Sequence, residues 1–467
     1  MIMGPIRVED ALIRRSALLV TTLGAFLSPF GISSVNIALP SIGREFAMDA
    51  VLLGWVTTSY LLASAAFGVP FGRVADIYGR KRTFIYGIST FTLASIGLAL
   101  SSSGVMLICL RVLQGIGAAA IYTVGAAILT SVFPPRDMGK VLGINLGAVY
   151  VGYSLGPTLG GFLTYHFGWR SIFLVNVFLG TAAILLIVWK LKGEWGEAKE
   201  ERFDFTGSII FSLTLLVIVY GFSRLATLLG VFLILLGGVG ILTFIKWEGK
   251  VESPVLDIGL FRNNRVFVFS NLAALINYSA TYAVTFLLSL YLQYIKRLTP
   301  DDAGLILVFQ PIMQAIFSPF AGKLSDRIEP GIVASVGMAL TAIGLFLLAW
   351  VNETTTLGYI VGSLILFGFG FALFSSPNSN AVMRSVDSRF YGVASGALGA
   401  MRWTGMAFSM GMTILIFSIY IGKVQITAEY YPLFMKCVKL AFTFFGVLCV
   451  AGVLASLARG KIKRDST

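Results

Sequence analysis

Runs of roughly twenty apolar residues recur from one end of the chain to the other, separated by polar breaks. Each run is long enough to cross a hydrocarbon core as a helix. The runs are continuous and lack the two-residue alternation of a barrel strand, so helices are what would satisfy their backbone groups in lipid. About fourteen spans are predicted, near 16–40, 51–71, 83–101, 105–132, 141–163, 171–190, 205–222, 227–246, 266–292, 302–320, 331–350, 358–382, 391–420 and 432–457.

Two polar breaks are long, 190–204 and 246–265. They bracket one closely joined pair of spans, with six spans before it and six after. The expected organisation is therefore an N-terminal six-helix bundle (1–190), a linker with two extra transmembrane helices (191–265), and a C-terminal six-helix bundle with a cytoplasmic tail (266–467). A short repeat supports the division. Gly72-Arg-Val-Ala-Asp76 follows the second span, and Gly322-Lys-Leu-Ser-Asp326 follows the second span of the later half, about 250 residues on. The first copy continues to Gly79-Arg80-Lys81-Arg82, the second to Arg327. Paired helical halves with a substrate site between them are a common transporter build.

Further motifs lie within the spans. They are Leu110-Arg111-x-x-Gln114-Gly115-x-Gly117 in the fourth, Gly143-x8-Gly152-x3-Gly156-Pro157-x2-Gly160-Gly161 in the fifth, and Trp169-Arg170-x5-Asn176 opening the sixth. With the 72–82 loop, these resemble the major facilitator superfamily, and within it the fourteen-span drug:proton antiporter branch. The resemblance covers nearly the whole chain. It implies an all-α membrane protein of two six-helix bundles plus a hairpin, and secondary active export, proton-coupled, of lipophilic or amphiphilic compounds by alternating access. The alternative is a facilitator or importer of a specific metabolite or organic anion without proton coupling.

The motifs also have a physical reading of their own. In the loop, glycines allow close helix approach while Asp76 sits among Arg73, Arg80, Lys81 and Arg82, so Gly72, Asp76, Gly79, Arg80 and Arg82, with Gly322, Asp326 and Arg327, form a candidate conformational latch. Arg111 lies deep in a span, where a charge is costly and normally faces protein or a water-filled cavity. Arg111, Gln114 and Arg402 are candidates for coupling or substrate binding. Gly143, Gly152, Gly156, Gly160 and Gly161 leave a smooth strip for helix contact, and Pro157 permits a bend, which suits a gating helix. By analogy with the fold, the first and fourth spans of each half line the path, giving Asn36, Tyr122, Asn277, Tyr278, Tyr282, Phe371 and Asn378 as pocket candidates, with Gln310 and Gln314, one helical turn apart in the tenth span, joining them.

Composition and charge sharpen this picture. The chain is 57% hydrophobic and 12% charged, with a mean hydropathy of +0.87, more apolar than a water-soluble surface permits. The net charge of +13 does not point to nucleic acid. Most Lys and Arg fall in segments on one side, the positive-inside bias, which places both termini in the cytoplasm and the protein in the inner membrane. The three cysteines and the single His166 have no metal or redox spacing, and no nucleotide-binding, protease or lipase motif occurs. No enzyme activity, metal or cofactor is expected. The expected partners are a small-molecule substrate, protons and membrane lipids, and the expected state is a monomer. One departure stands out. Gly31 occupies the place of an aspartate in the branch's first-span pattern, and no acidic residue falls mid-span, although a buried carboxylate is the usual proton carrier.

Overall fold

The computed structural model describes residues 8–196, 202–256, 258–386 and 391–460, and helix is the only regular secondary structure among them. The extreme termini, which charge assigns to the cytoplasm, lie outside the described residues. The early helices are α1 (Val8–Glu45), α2 (Ala50–Tyr78), α3 (Arg80–Ala99), α4 (Gly104–Val132), α5 (Pro135–Phe167) and α6 (Arg170–Lys190). The pair α7 (Phe205–Ser223) and α8 (Leu228–Glu248) follows, then a single turn, α9 (Gly259–Asn263). The late helices are α10 (Arg265–Thr281), α11 (Ala283–Leu290), α12 (Pro300–Leu307), α13 (Phe309–Arg327), α14 (Pro330–Ala349), α15 (Leu357–Arg384), α16 (Tyr391–Tyr420) and α17 (Tyr431–Leu457).

Side-chain oxygens of the preceding residue start several of these helices by accepting an otherwise orphaned N–H. Asp49 caps α2, Ser103 caps α4, Asp204 caps α7 and Thr356 caps α15. Among the described residues, twelve helical segments are long and apolar enough to cross a membrane by length and composition. α10 runs on through α11 and a π-helical turn (Tyr291–Ile295) as one of them, and α12 with α13 as another. α3 and α5 fall outside the twelve. The first opens on three cations, Arg80, Lys81 and Arg82, and the second carries Arg136, Asp137 and Lys140 in its opening turns. Large apolar side chains such as Leu93, Phe178, Trp189, Leu228 and Phe232 point outward, which a bilayer tolerates and water does not.

One packing pattern occurs twice. α1 packs on α4, α5 and α6, α2 on α4, and α3 on α4 and α6. Likewise α10 packs on α15, α16 and α17, α13 on α15, and α14 on α15 and α17. The two sets cross-contact reciprocally, α2 with α16 and α5 with α12 and α13. α7 packs on α8 and lies against both α2 and α16, beside one of these two seams.

Candidate functional site

A cavity sits where the two sets of helices face each other. Its empty space, including the open mouth, is about 1050 Å³. The four helices expected from the sequence contribute: α1 with Ser28, Ser33 and Asn36, α4 with Tyr122, α10 and α11 with Tyr278, Thr281 and Thr285, and α15 with Phe371 and Ser375. Gln310 and Gln314 reach it from α13, and Tyr282 lines it between α10 and α11. Asn277 and Asn378 do not line it. Each is buried on another face of its helix, and the Asn378 amide donates to the Ser270 carbonyl at 3.0 Å.

Two helices supply lining groups that sequence reasoning passed over. α5 brings Tyr150, Tyr153 and Pro157, and α16 brings Trp403 and Met406 beside Arg402. The signal for the tyrosines was present: Tyr150 and Tyr153 stand at helical spacing from Pro157, in a helix read for its glycines and for the bend at that proline. The aromatic groups stack closely. Tyr122 meets Trp403 edge-on with ring centroids 5.7 Å apart, and Tyr278 meets Phe371 likewise at 5.4 Å.

Among the described residues, Arg402 is the sole charged residue in the lining. Its Nη2 donates to Ser379 Oγ at 2.7 Å and its Nη1 to the Tyr122 hydroxyl at 3.3 Å, and its guanidinium lies 5.6 Å from the Tyr278 ring centroid. Its Nε has no hydrogen-bond partner. Arg111 and Gln114 are elsewhere. Arg111 is fully enclosed among α1, α2 and α4. Its Nε donates to the Val56 carbonyl (3.1 Å) and its Nη1 to Gln114 Oε1 (2.5 Å), with the Gly31 carbonyl at 3.5 Å, and the guanidinium covers the Tyr60 ring at 4.3 Å. Gln114 continues the chain of bonds to Ser95 Oγ at 2.8 Å. Gly31 faces away from the cavity. A Cβ there would stand 3.2 Å from Phe91 and 3.5 Å from the Asn176 amide.

The glycines of α5 divide by neighbour. A Cβ on Gly152, Gly156 or Gly160 would strike Phe26, Ser33 or Ser34 of α1, whereas one on Gly161 would strike the Pro300 carbonyl that opens α12. Gly304 of α12 sits just as closely on the Pro157 carbonyl. Gly143 has open space. Further bonds between early and late helices gather at this same end of the bundle, where α1 finishes. Ser289 Oγ donates to the Asn36 carbonyl (2.8 Å), Gln293 Nε2 to the Ile37 carbonyl (2.8 Å), and the Ala50 N–H to the Val424 carbonyl (3.1 Å).

At the opposite end, the repeated loops tie each aspartate to the fourth helix of its own set. Asp76 accepts from Arg80 Nε (2.9 Å) and Nη2 (2.7 Å), and Arg80 Nη1 reaches the Ala127 carbonyl (3.1 Å) and Ser131 Oγ on α4. Gly79 takes a φ of +113°, which glycine adopts without strain, and Glu194 accepts from the Lys81 N–H (2.8 Å) at the start of α3. In the later copy Asp326 pairs with Arg384 at the end of α15 (2.6 Å), and the neighbouring Ser325 accepts from Asn380 (2.7 Å). Gly322 lies against Ser376 of the same helix.

A helical bundle built on one packing pattern used twice, around a central cavity between the two sets, defines a multi-pass membrane transporter. The chain belongs to the major facilitator superfamily: the family model of that description matches residues 21–409 and, in a second alignment, 270–466. It is 30% identical over 398 residues to the riboflavin transporter RibZ of Clostridioides difficile, covering 84% of this chain and 86% of that one. It is 31% identical over 407 residues to the multidrug resistance protein Stp of Mycobacterium tuberculosis, covering 85% and 74%. Among solved structures, a peptide transporter, POT, superposes with a TM-score of 0.68 at 14% identity, over 95% of this chain and 97% of that one.

Proposed function

We propose that the protein is a proton-coupled exporter that moves lipophilic or amphiphilic small molecules, neutral or anionic, by alternating access. The observation that carries the substrate class is the cavity lining, rich in Tyr, Phe and Trp and carrying one charge, Arg402. Aromatic walls with few fixed polar groups accept varied apolar bodies. A lone guanidinium without a carboxylate disfavours cations and welcomes a carboxylate or phenolate. The name of the multidrug resistance relative supports export, and that of the riboflavin relative is compatible with a planar aromatic cargo.

In this reading α3 and α5 also cross the membrane. At 20 and 33 residues they span about 30 Å or more, which brings the crossings to fourteen, with residues 1–190 and 266–467 as the moving bundles and 191–265 as the hairpin linker. The protein sits in the inner membrane as a monomer with both termini cytoplasmic. The Asp76 and Asp326 loops hold each bundle rigid at the cytoplasmic end, and α5, smooth against α1 and pressed on α12 at Gly161, is the gate. A second reading, a facilitator or importer of one organic anion, is favoured by Arg402 alone.

The test is reconstitution. Vesicles with an imposed pH gradient should drive uphill movement of a fluorescent lipophilic anion or neutral probe. Movement that follows only the probe's own gradient overturns antiport and leaves the facilitator.

A further inference from the structure

Among the described residues the cavity lining holds no acid, so a carboxylate that carries a driving proton lies elsewhere. The buried acidic side chains among the described residues are Asp204, 8% exposed, and Glu248, 4% exposed. They meet at the base of the α7–α8 pair. Both close on Gly207: a Cβ added there would collide with Asp204 Oδ2 and would lie 2.5 Å from Glu248 Oε1. Glycine at 207 is what lets the two carboxylates converge.

Their hydrogen bonding is unequal. Asp204 caps α7 through the Gly207 N–H (2.9 Å) and receives the Trp247 indole N–H on both oxygens (3.0 and 3.2 Å). Glu248 Oε2 accepts from the Leu256 N–H at 3.0 Å, while Oε1, buried and turned toward Asp204, has no donor. Among the described residues, the charged groups acting on Glu248 are Asp204 and, from α2, Arg73. Two carboxylates converging out of water repel one another, and one proton relieves that repulsion. That proton on Oε1 would supply the missing donor, pointed at Asp204.

We propose that Asp204 and Glu248 form a shared-proton site outside the substrate cavity, at the base of the α7–α8 pair. Arg73 lies three residues before Asp76 on α2, and α7 packs on that same helix. The step is simple binding: one carboxylate takes one proton and becomes a carboxylic acid. As the carrier in antiport, the site rests on the proton-coupled reading above.

The test uses the full chain in lipid nanodiscs and pH-difference infrared spectroscopy, with transport assayed separately. Wild type should show a carboxylic-acid band that is lost in both Glu248→Gln and Asp204→Asn. A band that persists in both variants overturns the site. Should either variant fail to fold, Arg73→Gln keeps both carboxylates, and its band should titrate at higher pH, because an attractive cation is gone; an unchanged or lower midpoint overturns the site. The two readings separate cleanly. A band that behaves as expected in a protein that ignores an imposed pH gradient upholds the pair and overturns coupled transport. Gradient-driven transport with a band insensitive to these substitutions does the reverse.

Discussion

Arg111 and Arg402 are both guanidinium groups deep in the helical bundle, and neither has a carboxylate beside it in the cavity or the span. Their surroundings differ. Arg111 is enclosed at 0% exposure, bonded to the Val56 and Gly31 carbonyls and to Gln114, with Nη2 unpaired among the described residues, and laid on Tyr60, all within the early helices. Arg402 lies on the cavity wall, bonded to a hydroxyl of its own set and to Tyr122 of the other, with Nε uncommitted. The first cation is enclosed within one set of helices, and the second faces the cavity, where the proposed function has it meet a ligand. Depth in a span marks a costly charge, but only its neighbours say what the cost is for.

Three substitutions would break or sharpen that contrast. The largest effect is expected from Arg111→Ala, which leaves the Gln114 oxygen without its donor and opens a void between α1, α2 and α4. Thermal unfolding of the purified protein should register a loss of roughly 2–4 kcal/mol, with transport falling in consequence. Full stability with selective loss of substrate binding would place Arg111 with Arg402 after all. Next, Arg402→Gln should lower affinity for a carboxylate-bearing fluorescent probe about tenfold, the equivalent of ~1.4 kcal/mol, while unfolding shifts by less than ~0.5 kcal/mol. An equal loss for the uncharged analogue of the same probe would show that the guanidinium does not read charge. Smallest is Tyr122→Phe, which removes one 3.3 Å bond from Arg402. About twofold weaker probe binding is expected, from a bond of ~0.5 kcal/mol, and a tenfold loss would make the hydroxyl itself a ligand contact.

The pocket residues named from the sequence divide along the same line. Asn36, Tyr122, Tyr278, Tyr282, Gln310, Gln314 and Phe371 line the cavity, because the helices that carry them are the ones a two-bundle transporter turns inward. Asn277 stands one position before Tyr278 and is turned about a quarter of the way round the helix, off the wall. A continuous apolar run gives no amphipathic face from which to read that rotation. Tyr150 and Tyr153 do stand at helical spacing, but a glycine-rich helix announces packing first and says little about the side opposite the glycines. Glu248 was read as part of a loop after a span. The helix runs on to include it and buries it against Asp204, a meeting across 44 residues that no local pattern records.

Apolar run length, the polar breaks and the twice-used Gly-x-x-x-Asp loop were enough to define a helical membrane protein with two related sets of helices and its membership among transporters of this superfamily. Those features are local: hydrophobic length decides membrane residence, and a short motif decides a tight turn. Which face each helix turns inward, which arginine meets the cavity and which carboxylates meet each other depend on the rotation and crossing of helices that are apolar all round. In lipid that rotation is chosen by small residues and buried polar contacts rather than by the aversion of one face to water, so it exists only in the assembled bundle.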